Sequence, residues 1–313
     1  MAGNPNFDAL LSTTLQNYRP TLVDNIFTAR VLLDHLNSAG RVVVETGGTQ
    51  IIEPLVYAQN NTVGSYSGYD AIDLTPQEGI SAAEYDWKQM AASIAISGIE
   101  EAKNRGPEAI IKLLQAKIMQ AEESIKENLN DMLYSDGTGN GGKDFNGLAN
   151  IIDATGTVGG INASGNSWWA SYEENTSTAL TSAQMATAYN TASRGNDHPD
   201  LIVTTQLLFE KYESLLTPNV RYQDTTKANL GFQNLMFKQT PVVFDVSCPA
   251  GNMFFINSKY LKLTGMADHW FQTTDFQKGT VAGVDARYAL ILSFGNLTCS
   301  NRARQAKLTA KTA

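Results

Sequence analysis

The sequence is short of positive charge, of histidine and above all of cysteine, and each shortage narrows the field. Only Cys248 and Cys299 occur in 313 residues, with no CxxC spacing. Neither a disulfide framework nor a thiolate zinc site is expected, and both cysteines read as small buried apolar residues. The three histidines, His35, His198 and His269, are too far apart for any local metal-ligand spacing. Lysine and arginine number 23 against 31 acidic residues, a net charge of −8. That balance argues against a general nucleic-acid binder, which needs a clustered basic face. No apolar run approaches the ~20 residues that cross a bilayer. Met1 to Tyr18 has no basic patch followed by an apolar run, so no signal peptide is visible and synthesis in a cytoplasm is the expectation. Charged residues make up only 17%, below the usual quarter or so; Asn, Gln, Ser, Thr and Gly fill the gap, which is compatible with extensive contact with other subunits and equally with a soluble protein of neutral polar surface.

What is present is enough to build a core, since 42% of residues are hydrophobic. The strongest pattern is a helix over about 107–134. Pro107 suits a first helical position, where its missing N–H is no loss. Ile111, Leu114, Ile118, Ala121, Ile125, Leu129 and Met132 recur at three- and four-residue steps. The glycines 137, 139, 141 and 142 close the helix with permissive backbone. Such a helix is a rod roughly 40 Å long, which suggests a span or brace, an ordinary amphipathic core helix being the plain alternative. Glu122 and Glu123 fall off the stripe and read as a solvated face.

Before the helix, an N-terminal arm over 1–40 carries a helical stripe at Leu22, Ile26, Ala29, Leu32, Leu33 and Leu36, ended by Gly40. Residues 41–96 read as an extended excursion, out through Arg41–Thr46 and Ile51–Tyr57, around a Gly-, Ser- and Asn-rich tract, and back through Glu84–Ile96. No Lys or Arg lies between Arg41 and Lys88, whereas seven acidic residues do. A one-sign segment stays extended unless it meets opposite charge, so the excursion is expected to lie across a neighbouring subunit, a solvent-exposed hairpin that binds nothing being the plain alternative. After the helix, Thr181 or Ser182 can cap a helix to about Ser193. Pro199–Thr204 reads as a buried strand leading into a helix over 205–216. Short strands follow at Leu235–Phe237, Val242–Phe244, Met253–Ile256, Arg287–Ser293 and Leu297–Cys299.

Motifs that suggest chemistry fail on context. Gly137 to Lys143 matches both G-x-x-x-x-G-K and G-x-G-x-x-G, but the loop follows a helix instead of a strand, and Asp144 replaces the magnesium-binding Ser or Thr. No G-x-S-x-G is present. Trp168-Trp169 suits packing under a loop or at an interface better than base stacking, because no basic residue follows from Asp144 to Ser193. The basic tail residues Arg302, Arg304, Lys307 and Lys311 read as a solvated terminus. No catalytic, cofactor or metal set is expected, and an enzyme working through carboxylates that converge in space stays as the rival from another class.

The order of these parts resembles the major capsid protein of tailed bacteriophages, the Hong Kong 97-type fold, across most of the chain. The resemblance implies an α+β subunit with an N-arm (1–40) and a long E-loop β-hairpin (41–96). It further implies a peripheral domain with the spine helix (97–180 and 265–313) and an axial domain (181–264). It implies assembly with copies of itself into pentamers and hexamers of an icosahedral shell in the host cytoplasm, enclosing double-stranded DNA without sequence-specific binding. A portal and a decoration protein are further partners of the family. The E-loop residues Glu53, Tyr57, Tyr66, Tyr69, Asp70 and Asp73 become the inter-subunit contact candidates. Some members crosslink through an E-loop lysine; here none precedes Lys88, so no crosslink from the tip is expected. The E-loop begins near Arg41, which leaves no room for a fused scaffolding segment and implies a separate scaffolding protein. An encapsulin-type compartment shares the fold and is the alternative within it.

Overall fold

The computed structural model describes residues 30–103, 107–216, 235–278 and 285–313, with the backbone alone at 101–103 and 107–116. Leu22, Ile26 and Ala29 of the N-terminal stripe, and the side chains of Ile111 and Leu114, lie outside the described residues. The helices are α1 (Val31–Ser38), α2 (Gly98–Lys103), α3 (Pro107–Tyr134), the single turn α4 (Leu148–Ile151), α5 (Ser182–Ala192) and α6 (Gln206–Leu215). The strands up to α5 are β1 (Val42–Glu45), β2 (Ile51–Val56), β3 (Ile80–Tyr85), β4 (Lys88–Ser97), β5 (Thr157–Val158), β6 (Ile161–Asn162) and β7 (Tyr172–Asn175). Those after it are β8 (Leu201–Thr204), β9 (Leu235–Phe237), β10 (Thr240–Phe244), β11 (Met253–Ile256), β12 (Leu261–Met266), β13 (Gln272–Thr273), β14 (Gln277–Lys278), β15 (Ala286–Cys299) and β16 (Ala306–Thr309).

Two six-stranded sheets organise the molecule. The first is built on β15, whose first ten residues pair antiparallel with all of β4. Its other edge takes β14, β13 and β12 in turn, and β1 adds parallel to β12. The second sheet runs β7-β16-β11-β8-β10-β9. Its central strands are apolar on both faces, and the alternation of side chains divides them between two cores. Val203, Phe254 and Ile256 point into the main core with α3; Ile202, Met253 and Phe255 point into a second core under α5 and α6. Of the two cap candidates Thr181 is the N-cap, and it forms a capping box with Gln184.

Helix α3 spans the residues expected. Ile118, Ala121, Ile125 and Leu129 are buried along its stripe. Glu122, expected on a solvated face, is instead buried, and so is Lys126. The helix is covered on more than one side: β4 and α4 pack on it, and Asn130 and Tyr134 reach across to Asp245 in the loop after β10. Gly137, at φ 73°, makes the left-handed turn that ends the helical run.

Three further expectations change. The excursion is shorter than 41–96, because β1 and β4 belong to the first sheet and only residues 51–85 form the β2–β3 hairpin. The boundaries at 181 and 264 do not follow the sheets, since β7 and β16 join the second and β12 the first. The basic tail is not solvated. Arg302, Lys307 and Lys311 are buried because their chain runs into β16, an interior strand of the second sheet. Arg302 donates to the carbonyls of Ile151, Asp153 and Gly156, and Lys311 to Glu174 Oε1 at 2.7 Å. Long aliphatic stems accept burial when their heads find such partners.

Candidate functional site: the hairpin arm and its anchor

Alternation along β2 decides what the arm shows to its own chain. Ile51, Glu53 and Leu55 face the body and are buried; Ile52, Pro54 and Val56 face outward and are exposed. Across the ladder, Ala83 and Tyr85 point inward. Glu53 is therefore 4% exposed. Its carboxylate lies 2.8 Å from Lys262 Nζ on β12 and accepts a bond of 3.1 Å from the Thr298 hydroxyl on β15. Tyr85 donates its hydroxyl to Cys299 O at 2.8 Å and accepts from Cys299 N at 3.2 Å. Burial pushes the Tyr85 phenol well up and the Cys299 thiol up to about 12, so both stay neutral. Asn296 adds a bond to Asp86 O, and Trp87 one to Gly48 O. The loop carrying β5 and β6 closes against β3, where Glu84 N donates to Gly159 O. Gly159 has φ +60°, and a Cβ there would meet the Ala83 Cβ at 2.6 Å, so only glycine permits this approach.

Beyond this anchor the contact candidates divide. Glu53 faces its own body, contrary to the expectation of an inter-subunit residue. Tyr57 is 37% exposed and stacks on Trp168, with centroids 4.9 Å apart at 19°, so part of its surface is spent within the chain. Tyr66, Tyr69, Asp70 and Asp73 all lie on the open tract 58–78. Every side-chain hydrogen bond there closes within a few residues: Asn60 to Thr62, Asp70 to Ser67, Asp73 to Thr75. The hydroxyl and amide of Thr75 hold the Asp73 carboxyl below its usual range, which keeps the tip anionic. The same tract exposes Val63, Tyr66, Tyr69, Ile72 and Leu74, with Val63 and Leu74 at 85% and 86%. The sequence offered Tyr66 and Tyr69 but not Val63, Ile72 and Leu74, nor Lys262, Thr298 and Trp168 as the anchor's partners.

The other candidates find structural roles. The 137–143 loop is a turn beside the first sheet, where Lys88 donates to Gly142 O. His35 lies 3.3 Å from Asp200, His198 stacks on Tyr189, and His269 stacks on Phe294. Trp169 is buried and donates to Val158 O. Among the described residues, no group of three or more His, Cys, Asp or Glu is placed to hold a metal ion. No helix among them is long and apolar enough to cross a membrane. What the arrangement can do is bind: a fixed anchor presents an acidic, apolar tip with no partner among the described residues of its own chain.

The family model for the SU10 major capsid protein matches residues 89–312. The chain belongs to the SU10 major capsid protein family. No curated protein matches this capsid subunit in sequence. Solved structures resemble it at low identity. A subunit of the cyanophage A-1(L) capsid is 18% identical, with a TM-score of 0.69 over 88% of this chain and 91% of that one. A subunit of the capsid of the native GTA particle is 13% identical, with a TM-score of 0.62 over 88% and 90%. The SrpI encapsulin of Synechococcus elongatus is 10% identical, with a TM-score of 0.53 over 88% of each. At such identities the likeness carries the fold, which is the Hong Kong 97 type. The family match carries the assignment as a major capsid protein. On this capsid fold α3 is the spine helix and the β2–β3 hairpin is the E-loop.

Proposed function

We propose that this major capsid protein closes an icosahedral phage head by laying its E-loop tip over the next subunit, in rings of five and of six. The observation that carries the reading is the tract 58–78, which exposes five large apolar side chains beside Asp70, Asp73 and Glu78, and has no cation of its own. Isolated, such a surface is a liability; covered by a neighbour, it is an interface. Each contact is modest, and closure multiplies it across the shell. The protein works by association and not by catalysis. The shell is assembled in the host cytoplasm with a portal and a separate scaffolding protein, and it encloses double-stranded DNA. A subunit of charge −8 holds that DNA by confinement more than by attraction.

The test replaces residues 58–78 with Asn-Gly, a two-residue turn that joins Tyr57 to Gly79, already paired through Tyr57 N and Gly79 O at 2.9 Å. The expected variant has an unchanged circular dichroism spectrum and thermal midpoint but forms no closed shells in electron micrographs, where the parent does. Normal shells from the variant would remove the interlock. DNA inside parent shells purified from infected cells separates a head from a cargo compartment.

A further inference from the structure

We propose that Tyr57 is a releasable latch that sets the direction of the E-loop, with the Trp168 ring as its seat. The proposal rests on the reading that the E-loop is the interlock. The hairpin is held by two unlike sets of contacts along its length. Near the body, Glu53 and Tyr85 are enclosed, and opening them would leave Glu53 without Lys262 and Thr298, which is costly. At the outer end, past the Val56–Ile80 rung, the contact seen between body and arm among the described residues is one stacked ring pair, and Tyr57 keeps 37% of its surface exposed. A single aromatic pair biases such an equilibrium by roughly tenfold, little enough for a neighbouring subunit to reverse.

The seat does not travel with the latch. Trp168 leans on Trp169 at 5.7 Å, and Trp169 is buried and bonded through its indole N–H to Val158 O at 3.0 Å. The guanidinium of Arg302 lies 5.9 Å from the Trp169 ring and is itself tied to three carbonyls. Outward motion of the arm therefore breaks the Tyr57–Trp168 contact instead of stretching it. The outer hairpin and tract 58–78 then turn about the Glu53–Tyr85 clamp as a hinge. Rings of five and of six present the neighbour at two angles to the same chain, and a two-position arm meets both.

The experiment is pulsed electron-spin distance measurement on the unassembled full chain, labelled at Ile80→Cys on the hairpin and Gln206→Cys on α6. Both positions are exposed, while Cys248 and Cys299 are buried and escape the label. The expected result is a narrow distance distribution in the parent and in Tyr57→Phe, and one about twice as wide in Tyr57→Ala, as a hinge freed of its stop predicts. Trp168→Leu opens the same contact from the other side and decides the matter where Tyr57→Ala does not fold. A distribution equally narrow in Tyr57→Ala and Trp168→Leu, or equally wide in the parent, overturns the latch. Normal shells from the 58–78 replacement alongside a widened distribution would overturn the interlock and leave the latch standing; absent shells with an unwidened distribution would do the reverse.

Discussion

Asp200 shows how one side chain ties distant parts of this capsid protein together. It stands just ahead of β8, with His35 of α1 at 3.3 Å, the Ser258 amide at 2.9 Å and the Ser258 hydroxyl also bonded to it. Burial raises its pKa, but the bonds and charge from His35 and the bonds from Ser258 outweigh that and hold it below the reference value of 3.8. A depressed carboxyl adds stability that is fully present above its unfolded value and lost as pH falls through the folded one. Stability should therefore decline below about pH 4, and in Asp200→Asn the decline between about pH 4 and 2 should be shallower. Denaturant titrations at a series of pH values check this, and parallel curves for the two proteins would contradict it. The side chain is 39% exposed, so solvent screening keeps the effect small. The bonds of Asp200 were not legible in the sequence, because its partners lie 165 and 58 residues away.

At the scale of the element, α3 was the most readable part, because a helix declares its buried face every three or four residues. Ile118 is 2% exposed on that face. Ile118→Asp places an unpaired charge there and should cost more than about 4 kcal/mol, with the protein recovered only in the insoluble fraction; soluble, assembling Ile118→Asp protein would refute the packing. The E-loop hairpin was less readable. Ile51, Leu55 and their neighbours Ile52 and Val56 are all apolar, so period two did not say which row faces the body. Had it done so, Glu53, in register with Ile51 and Leu55, would have been placed inside. The ends of the hairpin were also hidden, since β1 and β4 are strands in either reading and only their pairing assigns them to the body.

At the scale of the whole molecule, the C-terminal segment closes the fold. β16 stands between β7 and β11, with Ala306 and Leu308 in the second core and Lys311 buried against Glu174. Removing residues 305–313 should leave β7 and β11 without their shared neighbour and abolish soluble expression. Leu308→Ala should stay soluble and lose about 3 kcal/mol by urea denaturation, the cost of a core cavity; a truncated chain that folds with native stability would show β16 to be dispensable.

Local pattern was enough for the features that depend on near neighbours. The sequence by itself determined the spine helix, a helix cap at 181 or 182, the buried strand within 199–204 and the burial of the two cysteines. Each of these rests on periodicity, capping or spacing within a few residues, where chain geometry leaves little choice. The tertiary structure alone decided that Arg302, Lys307 and Lys311 are buried, that Glu122 is enclosed and that Glu53 anchors instead of reaching out. A long polar side chain carries no sign of its burial, which is set by whether a carbonyl or an opposite charge from a remote strand arrives to replace water.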